Sequence, residues 1–321
     1  MMTNRKYMRQ VVIFIAILTA LACLINYTFN MGITHAAKGD IGKVNNIAAH
    51  KTDPLIAIFG SSVGEAGIDP HVLTKRTYLS AYNYCMDGTR YMQYRGLIDE
   101  FAAHSSNNKY ILFAESYFSF EPTDAIHSME LYMEHLDNDN IYNSLYAIQP
   151  ALTWKCKYIP FYKYIAATDV YYKNVWSGWK TLLNDKATAD TMLGFIPRTG
   201  TVRAGGTNHA LPTYKSIVDS NVIKAYTETI SSLQRKGRVV IIILPPVYKK
   251  LSVRLTDLTL VRRALYDAAA ITHSTFWDFT TSDICVHSNY FYNAHHLNST
   301  GAQVFTCALA DSLSTLINRV K

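Results

Sequence analysis

Positions 11 to 25 are apolar throughout except Thr19, and Asn26, Tyr27, Thr28 and Phe29 extend the run to about 19 residues, enough for a helix to cross hydrocarbon. Arg5, Lys6 and Arg9 precede it and Lys38 is the next basic residue, so the positive-inside bias sets the N-terminus in the cytoplasm and the remainder outside. A cleaved signal peptide shares the basic start and apolar stretch. No clean small-x-small site closes the run, however: His35-Ala36-Ala37 is poor, and Ala20-Leu21-Ala22-Cys23 is a weak lipoprotein box. The pattern therefore predicts a cytoplasmic tail at 1–10, a single-pass anchor in the cytoplasmic membrane at 11–30, a polar tether at 31–53 and an extracytoplasmic domain at 54–321.

Within that domain, Leu55 to Phe59 is a short continuous apolar run ending in Gly60-Ser61-Ser62, as expected of a strand buried on both faces and closed by a tight turn. Leu79 to Tyr84, Tyr110 to Ala114 and Val239 to Leu244 look similar, and Phe276 to Phe279 is a fifth. Amphipathic helical spacing covers Tyr91–Phe101, Ile217–Leu233, Leu260–Ile271 and Val304–Ile317. Alternating strands and helices predict an α/β domain with a mostly parallel sheet of about five strands covered on both faces. Function in such sheets gathers at the carboxyl ends of the strands.

The stretch from about 121 to 216 breaks the alternation and is rich in Tyr and Trp, including Trp154, Trp176 and Trp179. It is expected to be a mainly helical insertion. Its aromatics could fill a small core, stack on sugar rings or contact a membrane interface, because Tyr and Trp join an apolar face to a polar tip.

Composition narrows the picture. Hydrophobic residues are 49% of the 321 and charged residues 17%, which excludes a disordered or fibrous chain. The net charge of +7 comes partly from the basic residues before the anchor. With no Lys/Arg-rich run and no zinc-finger or RNP spacing, nucleic acid is not an expected partner. Cys23, Cys85, Cys156, Cys285 and Cys307 contain no C-x-x-C pair, so they read as small buried hydrophobes more readily than as disulfides in an oxidising compartment. No phosphate-cradling glycine loop follows a strand, Gly205-Gly206 reads as a loop turn, and no cofactor is expected.

Two places can carry chemistry. Gly60-Ser61-Ser62-Val63-Gly64 sets a serine in a glycine-flanked turn at a strand's carboxyl end, where it is approachable and close to backbone N–H groups. Phe291 to Gly301 leads into the last helix and holds His295 and His296, either of which can serve as base to a serine hydroxyl. Adjacent histidines without a neighbouring carboxylate or third ligand at recognisable spacing do not make a metal site. Asn298-Ser299-Thr300 matches a glycosylation sequon, but a buried helix cap suits Asn298 better.

Together these blocks resemble the SGNH (GDSL-like) hydrolase superfamily. Gly60-Ser61-Ser62 with Gly67-Ile68-Asp69-Pro70 looks like its first block, in the form carried by membrane-anchored envelope members such as D-alanyl transfer and alginate acetylation proteins. Ala81-Tyr82-Asn83-Tyr84 with Gly88 resembles the second block, and Asn293-Ala294-His295-His296-Leu297-Asn298 with Gly301 resembles the last. The resemblance implies a three-layer, flavodoxin-like domain, Ser62 as nucleophile with Ser61 as the register alternative, and His296 as general base. It also implies an oxyanion hole from the N–H groups of Gly88 and Ser62.

Two positions depart from the family pattern. Asn293 stands where an aspartate normally orients the histidine; its carbonyl can hold an imidazole without offering a charge, and Asp278, Asp283 or a main-chain carbonyl are possible substitutes. Glu115-Ser116 stands where an asparagine donor normally follows the third strand, and an ionised Glu115 cannot donate, leaving Asn83 or the insertion to complete the hole. The expected function is O-acyl transfer to an envelope or exported polysaccharide, with a multi-pass membrane acyltransferase as partner by analogy. A carbohydrate acetyl esterase would use the same acyl-serine. A glycan-binding or assembly scaffold with an impaired site would explain Asn293 and Glu115.

Overall fold

The computed structural model describes residues 2–184, 186–202, 214–252, 255–256 and 258–320; the expected turn at Gly205-Gly206 lies outside them. The first helix, α1 (Met2–Thr34), is long and apolar enough to cross a membrane, and its large apolar side chains from Val12 to Ile25 are exposed. It runs past the predicted anchor at both ends.

The expected tether at 31–53 is corrected by α2 (Gly39–Ala48), which is part of the core. Ile41, Val44 and Ile47 recur at helical spacing and are buried. The polar residues that made the segment look solvated are buried too: Asn45 Nδ2 donates to the carbonyls of Ile33 and Ala36, at 2.7 and 2.8 Å, and Lys43 is held by carboxylates. Burial of a polar group is tolerated once it is hydrogen-bonded.

Five strands form the main sheet: β1 (Ile56–Gly60), β2 (Ala81–Asn83), β3 (Tyr110–Ala114), β5 (Val239–Leu244) and β7 (Thr275–Asp278). Their order is β2-β1-β3-β5-β7, all parallel, which is 2-1-3-4-5 when the five are counted along the chain. The second strand is shorter than its apolar run, and the last starts one residue earlier than predicted. A separate two-stranded pair joins β4 (Tyr214–Lys215) and β6 (Leu255–Thr256).

Helices cover both faces. Phe59, Ile111, Phe113 and Ile242 pack with α2, α5 (Tyr91–His104), α10 (Ser220–Arg235) and α12 (Leu258–Thr272). Ile56, Ile58, Leu112 and Ile243 pack with α4 (Pro70–Thr77) and α13 (Ser299–Val320). The alternation of sides is the period of two expected along a strand, and burial on both faces explains the unbroken apolar runs. The insertion is helical, as expected: α6 (Asp139–Ile148), α7 (Pro150–Tyr158), α8 (Tyr162–Ala166) and α9 (Asp169–Leu182). A one-turn α11 (Lys249–Ser252) follows β5. All five cysteines are free; Cys85, Cys156 and Cys285 are buried.

Candidate active site

The chain leaves β1 through Gly60 at φ +148°, where a Cβ would lie 2.1 Å from the Ala114 carbonyl oxygen. Only glycine lets β1 pass β3 that closely before turning into the one-turn α3 (Ser62–Glu65). Ser62 heads this turn at the carboxyl end of the sheet.

On the far side of the chain, Asn298 is buried and caps α13. Its Oδ1 accepts the Gly301 N–H at 3.0 Å while its Nδ2 donates to the Gly200 and Asn289 carbonyls, so the cap reading of the sequon holds. Tyr292 N–H donates to the His296 carbonyl at 2.9 Å, closing the loop that turns His296 over the sheet. His296 Nε2 stands 2.8 Å from Ser62 Oγ, across 234 positions of sequence. Ser61 is instead fully buried and its Oγ meets no hydrogen-bond partner among the described residues; the register favours Ser62.

Asn293 supports the histidine from behind, with its amide turned in an informative way. Asn293 Oδ1 accepts the N–H groups of His295 and His296 at 3.1 and 2.9 Å. This leaves Nδ2 nearest His296 Nδ1, at 3.0 Å, with Oδ1 at 3.2 Å. A donating Nδ2 would place the imidazole proton on Nε2, facing the serine. The backbone amides thus compete with the ring for the one good acceptor.

Burial, then the neighbouring His295 and Arg198, push the His296 pKa down to about 3, with Asp87 opposing them. An imidazole can accept a proton only when neutral, so a depressed pKa keeps this one able to do so in acid. Reaction of Ser62 with a phosphonylating reagent is expected to be nearly constant from about pH 8 down to about pH 5, whereas a histidine at the ordinary 6.5 would lose more than tenfold. A rate–pH profile with a midpoint near 6.5 would contradict this.

Other predicted residues fall differently. Asn83 is not an oxyanion donor, because its Nδ2 is committed to the Gly64 and Ile68 carbonyls at 2.9 and 2.8 Å and its Oδ1 accepts from Cys85 N–H. Glu115 is buried and turned into the core, accepting from Tyr94 Oη at 2.8 Å, with burial raising its pKa to about 7. Asp278 is tied to Arg262 and Thr280, and exposed Asp283 pairs with His287, so neither orients His296. Trp179 donates to the Thr28 carbonyl of α1 at 3.1 Å, so its N–H is engaged within the fold. Trp154 and Trp176 lie exposed on α7 and α9.

Gly88 is better placed. Met86 N–H donates to the Gly60 carbonyl at 3.1 Å and Met86 bridges Ser61, so Gly88 follows two residues beyond the point where the two turns meet. It sits at φ +64°, with the His127 ring where a Cβ would be. Among the described residues, neither the Gly88 nor the Ser62 N–H donates a hydrogen bond within the protein.

Sequence reasoning missed a charge network under this turn. Lys43 Nζ contacts Glu65 Oε1 at 2.6 Å, Asp40 Oδ1 at 3.0 Å and the Cys85 carbonyl at 2.5 Å, with Lys43 and Glu65 each 1% exposed. Burial raises the Glu65 pKa to about 8 against the attraction of Lys43. Arg198 extends the network from Glu65, at 3.6 Å, to Asp87, at 3.5 Å. A lone Lys in a polar stretch and a lone Arg in a loop give no sequence signal.

His295 meets the His296 ring at a tilt of 52° and the Tyr117 ring edge-on. Among the described residues, the three-ligand cluster lies elsewhere, where His50 Nε2 and His104 Nδ1 stand 2.7 and 3.0 Å from Glu100 Oε1.

No protein-family model matches the chain, and no curated protein matches it. Among solved structures it is similar to one named as a candidate platelet activating factor from Streptococcus pneumonia, at 11% identity and a TM-score of 0.43, covering 92% of this chain and 99% of that one.

Proposed function

We propose that this protein is a membrane-anchored, extracytoplasmic serine O-acyltransferase of the SGNH type, acting on a cell-envelope or exported polysaccharide. The observation that carries the reading is the 2.8 Å contact between His296 Nε2 and Ser62 Oγ at the carboxyl end of a parallel sheet. A 2-1-3-4-5 strand order is the one flavodoxin-like sheets use and supports this reading; the long apolar first helix supports an anchor, and Arg5, Lys6 and Arg9 before its apolar run favour an N-terminus inside.

In this mechanism Ser62 Oγ attacks the donor's acyl carbon while His296 Nε2 takes the hydroxyl proton. The tetrahedral oxyanion is met by the N–H groups of Ser62 and Gly88, each donor contributing about 3 kcal/mol to the transition state. Collapse expels the donor's leaving group, which receives the proton from His296. A sugar hydroxyl then resolves the acyl-serine, with His296 again as base; water in its place gives an esterase.

Fluorophosphonate labelling of the full-length chain tests the reading. Labelling that disappears in Ser62→Ala and persists in Ser61→Ala is the expected result. A folded parent chain that stays unlabelled at high reagent, or labelling that survives Ser62→Ala, defeats it. One observation favours a second reading, a glycan-binding or assembly scaffold: the amide nitrogen of Asn293, not its oxygen, lies nearest the imidazole.

A further inference from the structure

The anchor helix does not leave the domain as a free stalk. Tyr164 Oη donates to Asn26 Oδ1 at 2.7 Å, and Phe29 packs edge-on against Tyr164, Tyr171 and Tyr172. A Cβ on Gly32 would lie 2.6 Å from the Val175 carbonyl oxygen, so α1 and α9 touch backbone to backbone. These contacts fix α8 and the start of α9 at the level of residues 26–29, where the apolar run of α1 ends.

At that level the insertion exposes Ile159, Phe161, Ile165, Val170 and Tyr172, with Ile165 82% exposed. Apolar side chains this open, grouped on adjoining elements, mark an interaction surface. The accompanying cations point to its occupant. Lys155 lies over the Tyr162 ring and Lys157 over Tyr142 and Tyr158, and neither has a carboxylate partner among the described residues. Beside Lys157 a polar cavity of about 250 Å³ opens between α1 and α7–α8, lined by Asn26, Asn30, Phe161 and Lys163 among others. Tyrosine rings with lysine heads above an apolar fringe suit the boundary between acyl chains and phosphates.

We propose that this face rests in the outer headgroup layer of the bilayer that α1 spans, its apolar side chains at the acyl boundary and Lys155 and Lys157 against phospholipid phosphate. The insertion is then a foot that holds the catalytic domain at a fixed attitude to the membrane. This does not depend on Ser62 being reactive.

The test uses the full-length chain in vesicles of phosphatidylcholine and phosphatidylglycerol. A fluorophore is attached to Ile165→Cys and, as a control, to Tyr78→Cys on α4's exposed end (Tyr78 is 91% exposed), with labelling of the native cysteines subtracted using the parent. Lipid-borne nitroxide is expected to quench the probe at 165 several-fold more than at 78, and aqueous iodide to show the reverse order. Lys155→Glu with Lys157→Glu is expected to reduce the lipid quenching at 165. Equal quenching at 165 and 78 by both agents would overturn the proposal and leave the face to a glycan or a protein.

Discussion

Asn293→Asp is expected to accelerate fluorophosphonate labelling of Ser62 by about 10²- to 10⁴-fold, the scale on which a serine–histidine pair responds to the tautomer of its imidazole. The geometry gives the reason. The Asn293 oxygen is engaged by two backbone amides, and its nitrogen is the atom nearest His296 Nδ1. A carboxylate accepts on both oxygens, so it can keep the His295 and His296 amides while also accepting a hydrogen bond from Nδ1–H, which leaves the Nε2 lone pair facing Ser62. The added charge also favours imidazolium, so the substituted enzyme should lose rate at a higher pH than its parent. Equal rates for the two chains would show that the asparagine already presents its oxygen to the ring, and would remove the argument for the scaffold.

Lys43→Met is expected to destabilise the protein by about 3–5 kcal/mol, the cost of leaving a buried carboxylate without its partner. Glu65 and Lys43 are both shut away from water and 2.6 Å apart. Removing the ammonium forces Glu65 to bury a charge or take up a proton. Adding Glu65→Gln should recover part of the loss, because it removes one of the two carboxylates that Lys43 holds, while Asp40 stays without its cation. Denaturant unfolding of the full-length chain in detergent measures both; additive losses in the double variant would mean the pair is not coupled. Since Glu65 closes the turn that Ser62 opens, Lys43→Met should also slow labelling in chains that remain folded.

Much of this architecture was legible because the sheet is parallel and buried on both sides: β1, β3 and β5 carry unbroken apolar runs, and the residues after β1 and before α13 carry the serine and histidine. Sheet logic pointed to the serine turn and to a histidine before α13, but the choice of Ser62 with His296 came from the resemblance of the two blocks to the SGNH superfamily. What could not be read was paired polarity. Lys43 and Asn45 look solvated in the sequence because their partners lie in Glu65, Cys85, Ile33 and Ala36, and only tertiary structure shows the satisfaction of a buried donor. Asn83 misled for the converse reason: its donors were already spent on two carbonyls. The orientation of the Asn293 amide is likewise set by backbone groups that no pattern announces.

The burial of α2 has a consequence for proteolysis. A cut in the exposed stretch at His50 and Lys51 would sever the covalent link between α1 and β1, yet Ile41, Val44 and Ile47 would remain wedged in the core with Lys43 clasped by Glu65. The two fragments would stay together as a nicked complex, with α1 still held to the domain. A recombinant chain begun at β1 would lack that wedge and expose the cleft it fills, so freeing this domain from α1 requires unfolding as well as cleavage.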